Sequence, residues 1–199
     1  MASHSIAIIV GSIREGSLNR KVARMMCGAV PDFDCRIIEI ADLPLYDPDL
    51  DKETPEPWAR FRREVAGVDG VLFVTPEYNR SIPAALKNAI DVGSRPYGKS
   101  VFAKKPAAIV TASPGALGGF GANHHLRQCC VFLDMPVMQQ PEAYLGHISD
   151  DKFGDDGQVT DEGLSKLLHS LGHAFADWVK LIRAGREALA PDAAGSSGS

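Results

Sequence analysis

The sequence predicts an α/β three-layer sandwich around a five-stranded parallel sheet of order 2-1-3-4-5. Short apolar runs alternate with segments of helical period along most of the chain, the βα pattern of that class. The runs at residues 6–10, 70–75 and 107–111 are continuous and do not alternate, as expected of strands covered by helices on both sheet faces. Five such units occur without an internal repeat. That is one strand short of a six-stranded double unit, and the order 2-1-3-4-5 suits five.

Strands are expected at residues 6–10, 36–40, 70–75, 107–111 and 136–138. Helices are expected between them, at 17–29, 57–65, 83–92 and 121–132, with a long last one at 161–187. Ser17 stands where an N-cap belongs, and Pro83 at a first helical position. Thr160 is the expected cap of the last helix, whose start Gly163 weakens. Along that helix Leu164, Leu167, Leu168, Leu171, Phe175, Trp178 and Ile182 recur at spacings of three and four, a stripe for packing on the sheet. The acidic, proline-rich stretch 42–57 reads as a surface loop. No domain boundary is visible: residues 1–188 form one domain and 189–199 a flexible tail.

With 199 residues, 45% hydrophobic and 23% charged, the chain is long enough and ordinary enough for one soluble domain. A net charge of −4 argues against nucleic acid or an anionic membrane as partner. No apolar run approaches the roughly 18 residues of a membrane span. The start, MASHSIAIIVGS, enters the first strand with no basic leader region, so a cytoplasmic location is expected. Cys27, Cys35, Cys129 and Cys130 show no C-x-x-C and no zinc spacing; buried, inert thiols are expected.

Chemistry is expected beyond the carboxyl ends of the strands, beside the switch in strand order. Three loops fall there. The first follows strand one: Gly11, Ser12, Arg14, Gly16 and Ser17 lead into a helix that begins at Leu18 and Asn19. Glycines admit a close approach, loop N–H groups point inward, and the helix N-terminus adds partial positive charge. The pattern G-x-x-x-x-G-K-[ST] fails because Ser17, not lysine, follows Gly16, and G-x-G-x-x-G fails as well. What is left suits a single terminal monophosphate, such as that of FMN.

The second loop, after strand three, runs Pro76, Glu77, Tyr78, Asn79, Arg80, Ser81. Its N–H groups can meet the edge of a flat heterocycle, and Tyr78 can stack on a ring. The third, after strand four, has Ser113 and glycines at 115, 118 and 119, which let backbone approach a ring. Arg80, Arg95 and Lys99 are expected near this rim, where they favour an anionic guest. The adjacent His124 and His125 cannot both face one metal from a helix, so they read as solvent-facing and no metal site is expected.

Together, GSIREGSLNRKVAR, TPEYNRSIPAALKNAIDVGSRP and SPGALGGFGANHHLRQ resemble the NAD(P)H-dependent FMN reductase family. Its members include quinone, azo and chromate reductases. The resemblance implies a flavodoxin-like fold, bound FMN, NADPH or NADH as electron donor, a small-molecule electron acceptor, and a homodimer or homotetramer. It implies that Ser12, Arg14, Ser17 and Asn19 hold the phosphate, with Leu18 among the cofactor-binding residues. It further implies that Pro76, Glu77, Tyr78 and Asn79 line the flavin, with Ser113 and Gly115 completing the pocket. Tyr78 and Arg80 would face the substrate, donor and acceptor would share one face in turn by ping-pong kinetics, and no protein acid or base is needed. The chain departs from the family pattern at Val92-Gly93, where an aromatic residue often follows the aspartate. The competing class is an FMN electron carrier that does not oxidise nicotinamide; such carriers are usually far more acidic than −4.

Overall fold

The structure, a computed structural model, describes residues 4–189. Five strands form one parallel sheet: β1 (His4–Val10), β2 (Phe33–Ile37), β3 (Gly70–Thr75), β4 (Ala107–Ala112) and β5 (Ala143–Leu145). Their order is β2-β1-β3-β4-β5, as expected. Five helices cover it: α1 (Leu18–Gly28), α2 (Glu56–Ala66), α3 (Ala84–Gly93), α4 (Phe120–Phe132) and α5 (Glu162–Ala188). None of the described helices is long and apolar enough to cross a membrane.

Successive strand residues feed opposite layers, which is why the central runs are apolar throughout. Ala7, Ile9, Val71, Phe73 and Ile109 pack with Trp58, Phe61, Leu86 and Leu126 of α2, α3 and α4. Ile6, Ile8, Val10, Leu72 and Val110 pack with Val22 and Met26 of α1 and with Leu164, Leu168, Leu171 and Phe175 of α5. Both clusters are buried from water, the main favourable term in folding.

Several elements differ from expectation. The last strand lies at 143–145, not 136–138. Residues 136–138 do run beside β4, with Val137 bridged to Ala107, but as an isolated bridge. Gln140-Pro141 interrupts the edge, since proline offers no N–H to a ladder, and pairing resumes at Val110↔Ala143. β2 ends at Ile37; Ile38 adds one bond to the carbonyl of Ile8, while Ile40 is buried outside the ladder. Asp161, not Thr160, caps α5, accepting from the Leu164 N–H at 2.7 Å. Pro83 is the residue before α3 and not its first. Leu167 is exposed, whereas Val179 completes the buried stripe.

Cys27 and Cys35 are joined in a disulfide, contrary to the expectation of four thiols. The end of α1 and the middle of β2 are neighbours across a short connection, with Cα atoms 6.1 Å apart. The stretch 42–57 is surface, but α3 pins it. The buried Asn88 amide donates to the carbonyls of Leu43 and Pro44 and accepts from the Tyr46 N–H. Of the expected tail, only Leu189 falls within the described residues.

Candidate functional site

β1, β3 and β4 are adjacent, so their three carboxyl-end loops form one rim. At the first, Ser17 caps α1 as expected, its hydroxyl accepting from the Arg20 N–H at 3.3 Å. Ser12 and Ser17 are buried, whereas residues 13–16 are exposed. The Ser12 hydroxyl accepts from the Arg14 N–H at 3.4 Å. Among the described residues, the N–H groups of Ser12, Ile13, Glu15, Gly16 and Ser17 have no acceptor, and the Arg14 guanidinium has no ion pair. The Leu18 side chain packs against the cluster formed with α1 and α5, so only its backbone belongs to the loop face.

Asn19 is buried, and its amide nitrogen donates to the carbonyl of Ala112 at the end of β4. That bond ties the first loop to the third and fixes which way the amide points. Its Oδ1 is then the atom left over, buried and without a partner.

The second loop is a tight hairpin. Tyr78 and Ser81 exchange both backbone hydrogen bonds at 2.9 Å, and Asn79 and Arg80 both lie in the left-handed region, at φ 51° and 65°. Two such residues in succession make the turn type that reverses a strand in two residues. Glu77 does not turn its side chain to the rim. Oε2 accepts from the Ala122 N–H at 3.0 Å, in the first turn of α4, and Oε1 pairs with Arg80 at 3.2 Å. A carboxylate there satisfies an orphan donor and complements the helix dipole. Glu77 can therefore serve a ligand through its backbone only. Tyr78 is exposed, as a ring facing a ligand must be.

In the third loop Ser113 Oγ accepts from the Gly115 N–H at 3.1 Å. The glycines divide into two kinds. A Cβ at Gly118 would lie 2.5 Å from the Tyr144 backbone, and one at Gly119 2.8 Å from Thr111; both have positive φ. These two serve the fold and not a guest, contrary to expectation. At Gly115 the nearest atom is 3.5 Å away, and at Gly16 nothing lies within 4 Å, so these are the open approaches.

Arg95 and Lys99 are not at the rim. They follow the end of α3, whose ten residues rise about 15 Å away from it. Arg80 alone of the three stays. His124 and His125 are exposed as expected, and no group of metal-ligating side chains occurs among the described residues. One feature of the rim was not among the sequence expectations. Phe120, His124 and Tyr144 form an aromatic cluster next to the third loop. Its only sequence signal was the aromatic content of 120–125, and Tyr144 lay outside the expected strand.

The profile of NADPH-dependent FMN reductases matches residues 4–150, spanning β1 to β5 and all three loops. The chain belongs to this family. It is 56% identical over 183 residues to a quinone reductase of Pseudomonas putida, covering 91% of this chain and 97% of that one. It is 42% identical to a 2-hydroxy-1,4-benzoquinone reductase of a Burkholderia species, covering 88% and 96%. Among solved structures, the flavoenzyme NAD(P)H:acceptor oxidoreductase FerB of Paracoccus denitrificans superposes with a TM-score of 0.84 at 37% identity, covering 89% and 98%. This FMN reductase family member is thus an oxidoreductase that uses FMN and a nicotinamide donor.

The residues present fit FMN. Unpaired N–H groups at the start of α1, beside a free guanidinium, suit a phosphate. The orphaned Asn19 Oδ1 needs a donor, which a ribityl hydroxyl has and a phosphate oxygen lacks.

Proposed function

We propose that the protein transfers electrons from NADH or NADPH to quinones and related electrophiles, azo compounds and chromate included, at a single open site by ping-pong kinetics. The observation that carries this reading is the continuous rim of three loops at β1, β3 and β4. Each presents free backbone donors, and together they expose Ile13, Tyr78 and Leu117 to solvent. Relatives named quinone reductase at up to 56% identity support the acceptor class.

In this reading the Ser12–Ser17 N–H groups, the Ser12 and Ser17 hydroxyls and Arg14 hold the phosphate. Asn19 accepts from the ribityl chain rather than binding phosphate. Pro76 and the backbone of Glu77, Tyr78 and Asn79 meet the ring edge, and Ser113 and Gly115 close the far side. Bound FMN supplies the two-electron chemistry, so the protein's part is position and electrostatics. N–H groups of Glu77 and Asn79 would stabilise negative charge developing at the pyrimidine edge, as oriented dipoles do. Tyr78, exposed above the rim, would shield the reacting face and stack on a planar acceptor. Arg80, held by Glu77 yet 74% exposed, would attract an anionic donor. The exposed Val131 and Phe132 on α4 support a homodimer or homotetramer.

Purified protein mixed with FMN and NADPH without oxygen tests the reading. Rapid bleaching of the flavin, followed by recolouring on addition of a quinone, is the expected result. Flavin that binds but stays oxidised would make the protein an electron carrier instead.

A further inference from the structure

We propose that Phe120, His124 and Tyr144 form a stacking site for the adenine ring of the dinucleotide donor, an inference that rests on the reductase reading above. The three rings touch one another, with centroids 4.2 Å apart for Phe120 and His124, 5.3 Å for Phe120 and Tyr144, and 6.1 Å for His124 and Tyr144. The last two lie near-parallel, at 21°. Tyr144 Oη sits 3.2 Å from His124 Nε2, which fixes the orientation of the imidazole. Phe120 is tilted 43° to His124 and 55° to Tyr144, and because Phe120 is 50% exposed and His124 is exposed, both offer ring surface to solvent instead of filling the core.

Their position singles out the adenine end of the donor. The Phe120 N–H is held by the Leu117 carbonyl of the third loop at 3.1 Å, and Gly118 rests on the Tyr144 backbone. The cluster is therefore part of the rim. Across the sheet the first loop stands at β1, the second at β3, the third at β4, and Tyr144 on β5. Neighbouring strands are about 4.8 Å apart, so Tyr144 lies about 10 Å beyond the strand that carries the second loop. A quinone reacts lying on the flavin ring and has no atoms to spend at that distance. A dinucleotide does, because its adenosine half continues past the nicotinamide. Between the two, the Arg80 backbone abuts Gly121, where an added Cβ would meet its carbonyl oxygen at 2.8 Å. The exposed guanidinium of Arg80 is thus carried where the pyrophosphate charge would pass. Aromatic side chains hold a nucleobase by stacking that tolerates any base with a π-face.

The test compares NADH with reduced nicotinamide mononucleotide, which keeps the reacting ring but lacks the adenosine. In Phe120→Ala and His124→Ala, KM for NADH should rise about 5- to 20-fold. KM for the mononucleotide and for a neutral quinone should stay unchanged, and Phe120→Tyr should restore the NADH value. Calorimetry with AMP on the FMN-loaded protein should show binding to the parent and Phe120→Tyr but not to Phe120→Ala. An equal rise for both donors, a change for the quinone alone, or no change would overturn the proposal. So would dissociation of an oligomer in Phe120→Ala, which would assign these rings to a subunit contact. Failure to bleach FMN with any nicotinamide defeats the reductase reading itself, and AMP binding is measured independently of that outcome.

Discussion

Arg14 and Cys130 show how one side chain's surroundings set its chemistry. Arg14 is the one full positive charge between Gly11 and Ser17, and it is exposed with no ion pair among the described residues. A charge-assisted hydrogen bond contributes about 1.5–3 kcal/mol. Arg14→Ala should therefore weaken FMN binding about 10- to 100-fold in a fluorescence titration. The circular dichroism of the apoprotein should not change, because nothing in the fold leans on this guanidinium; unchanged affinity would remove Arg14 from the site. Cys130 is the opposite case. Burial pushes its thiol up to about 12, and burial raises Cys129 as well. Since the thiolate is the reactive form, Cys130 should resist iodoacetamide at pH 7 in the folded protein. Mass spectrometry after native labelling would reveal a modified Cys130 if this were wrong.

Elements were legible where one physical signal dominated and illegible where two competed. β1, β3 and β4 announced themselves because burial on both faces leaves no room for polar alternation. Ser17 announced α1 because a hydroxyl before an apolar periodic run has few other uses. The split edge strand was missed because the apolar segment 136–138 outweighed the three-residue β5 beyond Pro141. The cap that the Glu77 side chain gives α4 is not legible in the sequence because it is a tertiary role that spans 45 residues. Gly118 and Gly119 were misread for the same reason, as only the packed structure shows what a Cβ would strike. Cys27 and Cys35 were read as thiols because pairing depends on how α1 hands over to β2. Their disulfide closes a loop with a sequence separation of 8. A closure of that size contributes about 2–3 kcal/mol by restricting the unfolded chain. Reductant should lower the urea midpoint of the parent by the corresponding amount and leave a Cys27→Ser, Cys35→Ser variant unmoved. If the parent ignores reductant, the two cysteines do not bridge in solution.

At the scale of the molecule, the rim joins strands that are distant in sequence, so whatever bridges it couples to the whole fold. The bond from Asn19 to Ala112 already links the first loop to the end of β4, and Glu77 links the second to α4. A ligand gripping all three loops binds the folded chain and not the unfolded one. At one hundred times its dissociation constant it stabilises by about 2.7 kcal/mol. For a chain of this length that is a rise in Tm of about 5–10 °C. Riboflavin has the same ring and ribityl chain but no phosphate, so it separates the first loop's contribution from the rest. If the phosphate accounts for a 100-fold share of the affinity, riboflavin at the same concentration should raise Tm by only about 1–2 °C. Arg14→Ala should then bring the FMN shift down toward the riboflavin value while leaving the riboflavin shift as it was. Equal shifts from FMN and riboflavin in the parent would mean that the start of α1 does not hold the phosphate, whatever the other two loops bind.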